Sequence, residues 1–299
     1  MDIAITGSSG LIGSALSRRL SDAGHRVLRV VRPSSANTSG DTITWDPAAG
    51  SIDAAGLEGL DAVVNLAGEG IGERRWTPEQ KQRILDSRVR GTTLLAATLA
   101  ELDRPPAVLL SGSAIGVYGD TGDRPVDETR APGSDFLAQV CVEWEGATTA
   151  ASEAGIRTVL LRTGIVLDAD GGALGKQLTF FRLGLGGRSG SGRQYWSWIT
   201  LTDEVAAIEF LLTADVSGPV NLTAPNPSTN AEFARTLGRV LGRPTTVIPM
   251  IGPRLLLGRE LADSLLLTSQ RVLPGVLESA GFPFTDPELE AALRSVVGR

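Results

Sequence analysis

Apolar residues follow two rhythms along this chain. Through the first 165 or so residues, short near-continuous apolar runs alternate with stretches whose apolar positions recur every three or four residues. Ile3 to Ile5 is such a run; Leu11, Ala15, Leu16 and Leu20 then share a helical face closed by Gly24, and a second run spans Val27 to Val31. Thr42 to Trp45 predicts a short third strand. Asp61-Ala62-Val63-Val64-Asn65-Leu66-Ala67-Gly68 is almost unbroken, as central parallel strands covered on both faces are. Thr77 is placed as an N-cap with Pro78 at the first helical position, which predicts a helix from Gln80 through Leu99. Val108 to Ser111 reads as a strand, Val142 to Ala154 as part of a helix ended by Gly155, and Thr158 to Arg162 as another strand. Strand and helix in alternation predict an α/β doubly wound parallel sheet with helices on both faces.

From Asp168 the rhythm breaks. Gly171, Gly172, Gly184, Gly186, Gly187, Gly190 and Gly192 make a glycine-dense stretch, followed by short mixed segments rich in proline. Asn230 to Phe233 starts a helix that should end at Gly238 or Gly242, and Leu289 to Val297 reads as the last one. This predicts a Rossmann-like nucleotide domain over 1–167, with some later segments returning to it. A smaller C-terminal α+β substrate domain over 168–299 would close on it. In open α/β sheets a ligand lies outside the carboxyl ends of the strands, facing such an annex.

The turn between the first strand and its helix carries chemistry. Gly7, Gly10 and Gly13 recur at a three-residue spacing within Gly7-Ser8-Ser9-Gly10-Leu11-Ile12-Gly13. A dinucleotide pyrophosphate needs one glycine for the tight turn, one for close backbone approach and one for helix–strand packing. The anion then rests on free N–H groups at the helix N-terminus. At the end of the second strand an acid would accept from a ribose 2′-hydroxyl, whereas an arginine suits a 2′-phosphate; the chain has Arg32 there and no acid. NADP(H) is therefore the expected cofactor.

Composition narrows the rest. With 299 residues, 42% of them hydrophobic, a sizeable core is available, and a net charge of -6 argues against nucleic acid or an anionic membrane as partner. No apolar run approaches the ~18–20 residues of a membrane span. One Cys and one His leave no basis for a disulfide framework or a metal site. A strand at the very start predicts no cleavable leader, hence a cytoplasmic protein with a small-molecule substrate. Helices on the outer faces leave a homodimer open.

Thr6 to Gly13, Asn65-Leu66-Ala67-Gly68, and Ser111-Gly112-Ser113-Ala114 running into Val117-Tyr118-Gly119 resemble the extended short-chain dehydrogenase/reductase superfamily, which includes the sugar-nucleotide epimerases. The C-terminal motifs point more narrowly to its epimerase-like subfamily. They are Gly184-Leu185-Gly186-Gly187, Ser197-Trp198-Ile199, Ala224-Pro225-Asn226-Pro227, Thr229-Asn230-Ala231-Glu232-Phe233, Gln270-Arg271-Val272-Leu273-Pro274 and Gly281-Phe282. The resemblance spans essentially the whole chain. It implies a Rossmann-like sheet, a small C-terminal domain and NADP(H), but no particular substrate.

It also implies a working set of Ser, Tyr, a Lys four residues later, and an Asn from a helix. The Tyr moves the proton while hydride passes to or from the nicotinamide. Ser113 matches the Ser. Phe136 stands where the Tyr belongs, Val140 where the Lys belongs, and Arg88 replaces the Asn. Tyr118, expected to face the cleft beside the Ser113 loop, is the first substitute proton donor, with Arg88 to lower its pKa. The cofactor candidates are Gly7, Ser8, Ser9, Gly10, Leu11, Ile12, Gly13 and Arg32, with Asn65, Leu66, Ala67, Gly68, Ser87, Ser111, Arg162 and Gly164 about the strand ends. Asp120, Asp127 and Glu128 read as solvated loop acids, Cys141 as a buried thiol, and His25 as structural. Tyr195, Trp196 and Trp198, with Gln194, either cover a ligand ring or seal the domain seam. Two function classes follow: an epimerase-like NADP(H) oxidoreductase, and a non-catalytic NADP(H)-binding redox reporter.

Overall fold

The structure is a computed structural model and describes residues 1–33 and 41–298. Strand β1 (Asp2–Thr6) passes through the glycine turn into α1 (Leu11–Asp22), then β2 (Arg26–Val31), β3 (Thr42–Asp46) and the two-residue β4 (Ser51–Ile52). Next come β5 (Ala62–Asn65), α2 (Pro78–Ala100), β6 (Val108–Ala114), α3 (Phe136–Gly146), α4 (Thr149–Glu153) and β7 (Arg157–Thr163). Thr77 caps α2 as expected, its side chain accepting from Gln80 N at 3.2 Å. The helix expected over Val142–Ala154 starts earlier and is split. Asp135 accepts from Ala138 N (2.9 Å) and so opens α3 at Phe136, and the backbone leaves helical register between Gly146 and Thr149.

The chain then runs through β8 (Ile165–Leu167), α5 (Gly172–Arg182), β9 (Gly187–Ser189), β10 (Tyr195–Trp196) and β11 (Trp198–Thr200) into α6 (Leu201–Thr213) and β12 (Gly218–Leu222). It ends with β13 (Ser228–Thr229), α7 (Asn230–Leu241), β14 (Thr246–Ile248), α8 (Ile251–Leu257), α9 (Arg259–Leu266), α10 (Gly275–Ser279) and α11 (Leu289–Val297). A capping box at Thr229 and Glu232 starts α7, and Gly242 ends it in the left-handed region at φ 63°.

The main sheet has the order β12-β7-β6-β5-β1-β2-β3-β4, parallel throughout except for β4 against β3. Strand order reverses between β1 and β5, which opens a crevice at the carboxyl ends of those strands. On one face α1 and α6 cover Ile5, Val64, Leu110 and Leu161; on the other, residues from α2 and α4 cover Val63, Leu109 and Trp45. β12 pairs with β7, so the sheet's last strand comes from beyond residue 167. A separate core about Phe181, Trp198, Phe233 and Leu293 holds the annex together. Among the described residues no helix is long and apolar enough to cross a membrane.

Candidate active site

The crevice is tied together beneath its floor. The Thr6 hydroxyl donates to Asn65 Oδ1 (2.7 Å) and accepts from the backbone N–H of Leu66 (3.0 Å) and Ala67 (3.1 Å). Asn65 Nδ2 donates to Thr92 Oγ1 (2.8 Å) and Ser111 Oγ (3.2 Å), and Trp144 Nε1 also donates to Thr92 Oγ1 (3.0 Å). All of these side chains are buried or nearly so. Asn65 and Ser111, expected among the cofactor contacts, therefore turn their side chains inward to lock neighbouring strand ends.

Above that floor the glycines are required. Gly7 has φ +66°, and a Cβ there would come within 2.7 Å of Leu66 O. A Cβ on Gly13 would lie 2.2 Å from Gly7 O, so only glycine lets α1 approach the turn. Gly10, at the N-cap, is exposed and supplies no side-chain cap, and the first turn carries no acidic residue. The leading N–H groups of α1, at Leu11 and Ile12, are thus left for an anion. Ser8 and Ser9 flank this cradle. Arg32 is exposed two residues past Val30, which is in register with Thr6, so it stands at the same end of the sheet. Gly68 is also exposed, and Ser87 steadies the loop beside it by accepting from Glu69 N (3.0 Å).

A cavity of ≈ 210 Å³ adjoins the crevice between sheet and annex. Its walls come from Ala114 to Gly116 after β6, from α3 (Leu137, Val140, Cys141, Trp144), from Thr163 to Ile165, and from Tyr195 to Ser197 of the annex. Arg88 enters from α2, while Leu265 and Gln270 close the outer side. Gly164 is needed here, since a Cβ would stand 2.7 Å from Ser197 O. Gln270 Nε2 donates to Ile115 O (3.1 Å) and Gly119 O (3.2 Å), stitching the C-terminal segment to the loop after β6. Arg75 Nε reaches Leu256 O (3.0 Å) and Lys81 pairs with Glu260, which hold α8 and α9 over the same opening.

Three expected site residues sit elsewhere. The Ser113 hydroxyl is buried and donates to Glu145 Oε1 at 2.7 Å, so it stands behind the cavity wall. Tyr118 is 2% exposed, donates to Asn221 Oδ1 (2.8 Å) and accepts from Arg162 Nη1 (2.8 Å). It does not face the cleft, and its cation is Arg162 instead of Arg88. Burial pushes its hydroxyl pKa up despite Arg162, the wrong direction for a proton donor at neutral pH. Arg162 binds Glu145 through both Nε (2.8 Å) and Nη2 (2.9 Å), so its guanidinium is committed to the buried ion pair. Burial pulls the Arg162 pKa down, but the bonds and charge of Glu145 outweigh it.

Two residues that the sequence does not mark join them. Glu145 and Asn221 complete a buried chain running Ser113–Glu145–Arg162–Tyr118–Asn221; no local motif marks either. Tyr195 is half-buried in the cavity wall with Arg271 over its ring (4.8 Å), and among the described residues its hydroxyl has no hydrogen-bond partner. Phe136 packs edge-on to Trp76 (5.0 Å) beneath Lys81 (4.9 Å), and Val140 is a buried part of the cavity wall. Burial drives the Cys141 thiol up to about 12, which leaves it inert.

Comparison with known proteins gives this geometry a context. Residues 3–223 match the model of the NAD dependent epimerase/dehydratase family, and 248–296 match a domain of unknown function. The epimerase family protein Mb2239 of Mycobacterium bovis is 49% identical over 293 residues, covering 97% of this chain and 96% of that one. A crystal structure of human epimerase family protein SDR39U1 (isoform 2) with NADPH superposes with a TM-score of 0.90 at 35% identity, covering 100% of both chains. A nucleoside-diphosphate sugar epimerase from Corynebacterium glutamicum gives a TM-score of 0.82 at 36% identity, covering 100% of this chain and 58% of that one.

Proposed function

This chain belongs to the NAD-dependent epimerase/dehydratase family, and on that premise we propose that it is an epimerase-like oxidoreductase that uses NADP(H) on a small polar carbonyl or hydroxyl compound. The observation that carries the reading is the uncapped glycine cradle at α1 opening beside a lined cavity. Gly7, Ser8, Ser9, Gly10, Leu11, Ile12 and Gly13 would hold the pyrophosphate through backbone N–H groups, and Arg32 the 2′-phosphate. The backbone of Leu66, Ala67 and Gly68 would border the cofactor, with Ser87 supporting them, and Gly164 would admit the nicotinamide end. The chemistry such a cofactor would supply is hydride transfer to or from its nicotinamide. Tyr195, the cavity's tyrosine, hands a proton to the carbonyl oxygen in reduction and regains it from solvent; oxidation reverses both transfers. Ser113 and Glu145 brace the wall from behind.

The competing reading, an NADP(H) binder without turnover, draws support from Phe136, packed under Lys81 where a tyrosine would be required. Fluorescence titration with NADPH and NADH, followed by absorbance of the reduced nicotinamide over a panel of aldehydes, sugar nucleotides and quinones, decides between them. We expect NADPH to bind at least about tenfold more tightly than NADH, Arg32→Ala to erase that preference, and turnover to fall in Tyr195→Phe. Tight NADPH binding with no oxidation across the panel would establish the non-catalytic reading instead.

A further inference from the structure

Arg88 faces the cavity without a counter-ion. Its Nη1 donates to Glu69 O (2.9 Å) and Ile84 O (3.1 Å), with Ser87 Oγ at 3.5 Å, and its guanidinium stands 5.0 Å from the centre of the Trp144 ring. Nε and Nη2 have no hydrogen-bond partner among the described residues, and no described carboxylate lies within ion-pair distance of the group. The acid whose charge reaches Arg88 and the one acid on the cavity wall are both engaged elsewhere. The Glu69 carboxylate accepts from Gln80 Nε2 (2.9 Å) and lies 3.9 Å from Arg83, while Asp135, the one acid on the cavity wall, is exposed and caps α3. Burial pulls the Arg88 pKa down, with Cys141 and Glu69 opposing it. Arg162 shows the contrast: an arginine of the same region is given a carboxylate of its own.

A cation held in a wall of Leu137, Val140, Trp144, Ile165 and Leu265 is costly unless something neutralises it. The free pair, Nε–H and Nη2–H, forms one edge of the guanidinium, which matches the two oxygens of a carboxylate. The cavity is below the ~300–1,000 Å³ usual for drug-sized ligands, so the acid must be small.

We propose that Arg88 anchors a carboxylate of the substrate, and that this site therefore works on small organic acids with an apolar body. The proposal rests on the oxidoreductase reading above and names its substrate class. The test uses the full chain saturated with NADPH, titrated calorimetrically with benzoate and with its neutral counterpart benzamide. Benzoate should bind at least about tenfold more tightly than benzamide; Arg88→Met should abolish that preference and Arg88→Lys retain part of it. Affinity for NADPH should fall by much less than affinity for benzoate in both variants, the small part coming from the Nη1 bond to Glu69 O beside Gly68. Equal binding of the two probes, or binding of neither, overturns the proposal while leaving cofactor binding intact. A large loss of NADPH affinity in Arg88→Met overturns it too, since Arg88 would then serve the cofactor. If NADPH fails to bind the unmodified chain, the function reading falls, and the same pair of probes without nucleotide still judges the carboxylate site.

Discussion

Glu204 offers a measurement whose size follows from its surroundings. It lies in the first turn of α6 with no solvent exposure. Oε1 accepts from Thr163 Oγ1 at 2.8 Å, and Oε2 has no partner. Burial pushes its carboxyl from 4.5 up to about 8, with only the Thr163 bond pulling the other way. The folded protein therefore keeps this proton in a range where the unfolded chain releases it. Stability from this group is full below about pH 4.5 and is lost as pH rises towards 8. Each pH unit inside that window costs about 1.4 kcal/mol, so going from about pH 5 to 7.5 removes roughly 3 kcal/mol. Glu204→Gln keeps an acceptor for Thr163 and cannot ionise. Urea unfolding of wild type and variant at those two pH values should show the variant's relative stability rising by about 3 kcal/mol at the higher pH. Every other group titrates in both proteins and cancels in the comparison. A difference that stays constant between the two pH values would refute the reasoning.

Glu145→Gln breaks an ion pair whose side chains are 7% and 12% exposed and leaves Arg162 buried without its charge partner. It should cost about 3–5 kcal/mol by chemical denaturation, and a double-mutant cycle with Arg162→Met should return a coupling of at least about 1 kcal/mol. Tyr118→Phe removes the hydroxyl shared by Arg162 and Asn221. We expect a loss of about 1–3 kcal/mol in stability, with any NADPH-dependent turnover surviving. Gly13→Ala must displace either α1 or the turn, because the added Cβ meets Gly7 O at 2.2 Å. NADPH titration should show binding weakened by at least about a hundredfold, and the melting temperature should fall as well.

The parts of this molecule that could be read ahead are those governed by burial on both faces and by glycine geometry. β5 is apolar because both sides are covered, and Gly7 and Gly13 are glycines because backbone lies within 3 Å of where a Cβ would be. What resisted reading depends on where a side chain turns once the chain has folded. Helix α6 carries Val205, Ala207, Ile208, Leu211 and Leu212 inward beside Asp203 and Glu204, so no clean polar stripe marks its outer face. Tyr118 follows Ser113 closely, yet the tight turn Ile115–Tyr118 carries its hydroxyl away from the cleft to Arg162 and Asn221.

The changes at the Tyr and Lys positions were legible as letters, but their meaning lies in the packing around them. Lys81, outside the expected motif, lies over Phe136 and pairs with Glu260 of α9, so this place now fastens the annex. Val140 joins the apolar wall. The cavity's arginine and its tyrosine stand on opposite sides, Arg88 on α2 beside the sheet and Tyr195 on β10 of the annex. Such a division makes a specific demand: both elements must be in place before a ligand can meet a cation and a hydroxyl together. Loosening the annex by Lys81→Ala should therefore weaken ligand binding at the cavity more than it weakens binding of nucleotide at α1, a difference that paired titrations with benzoate and NADPH would measure.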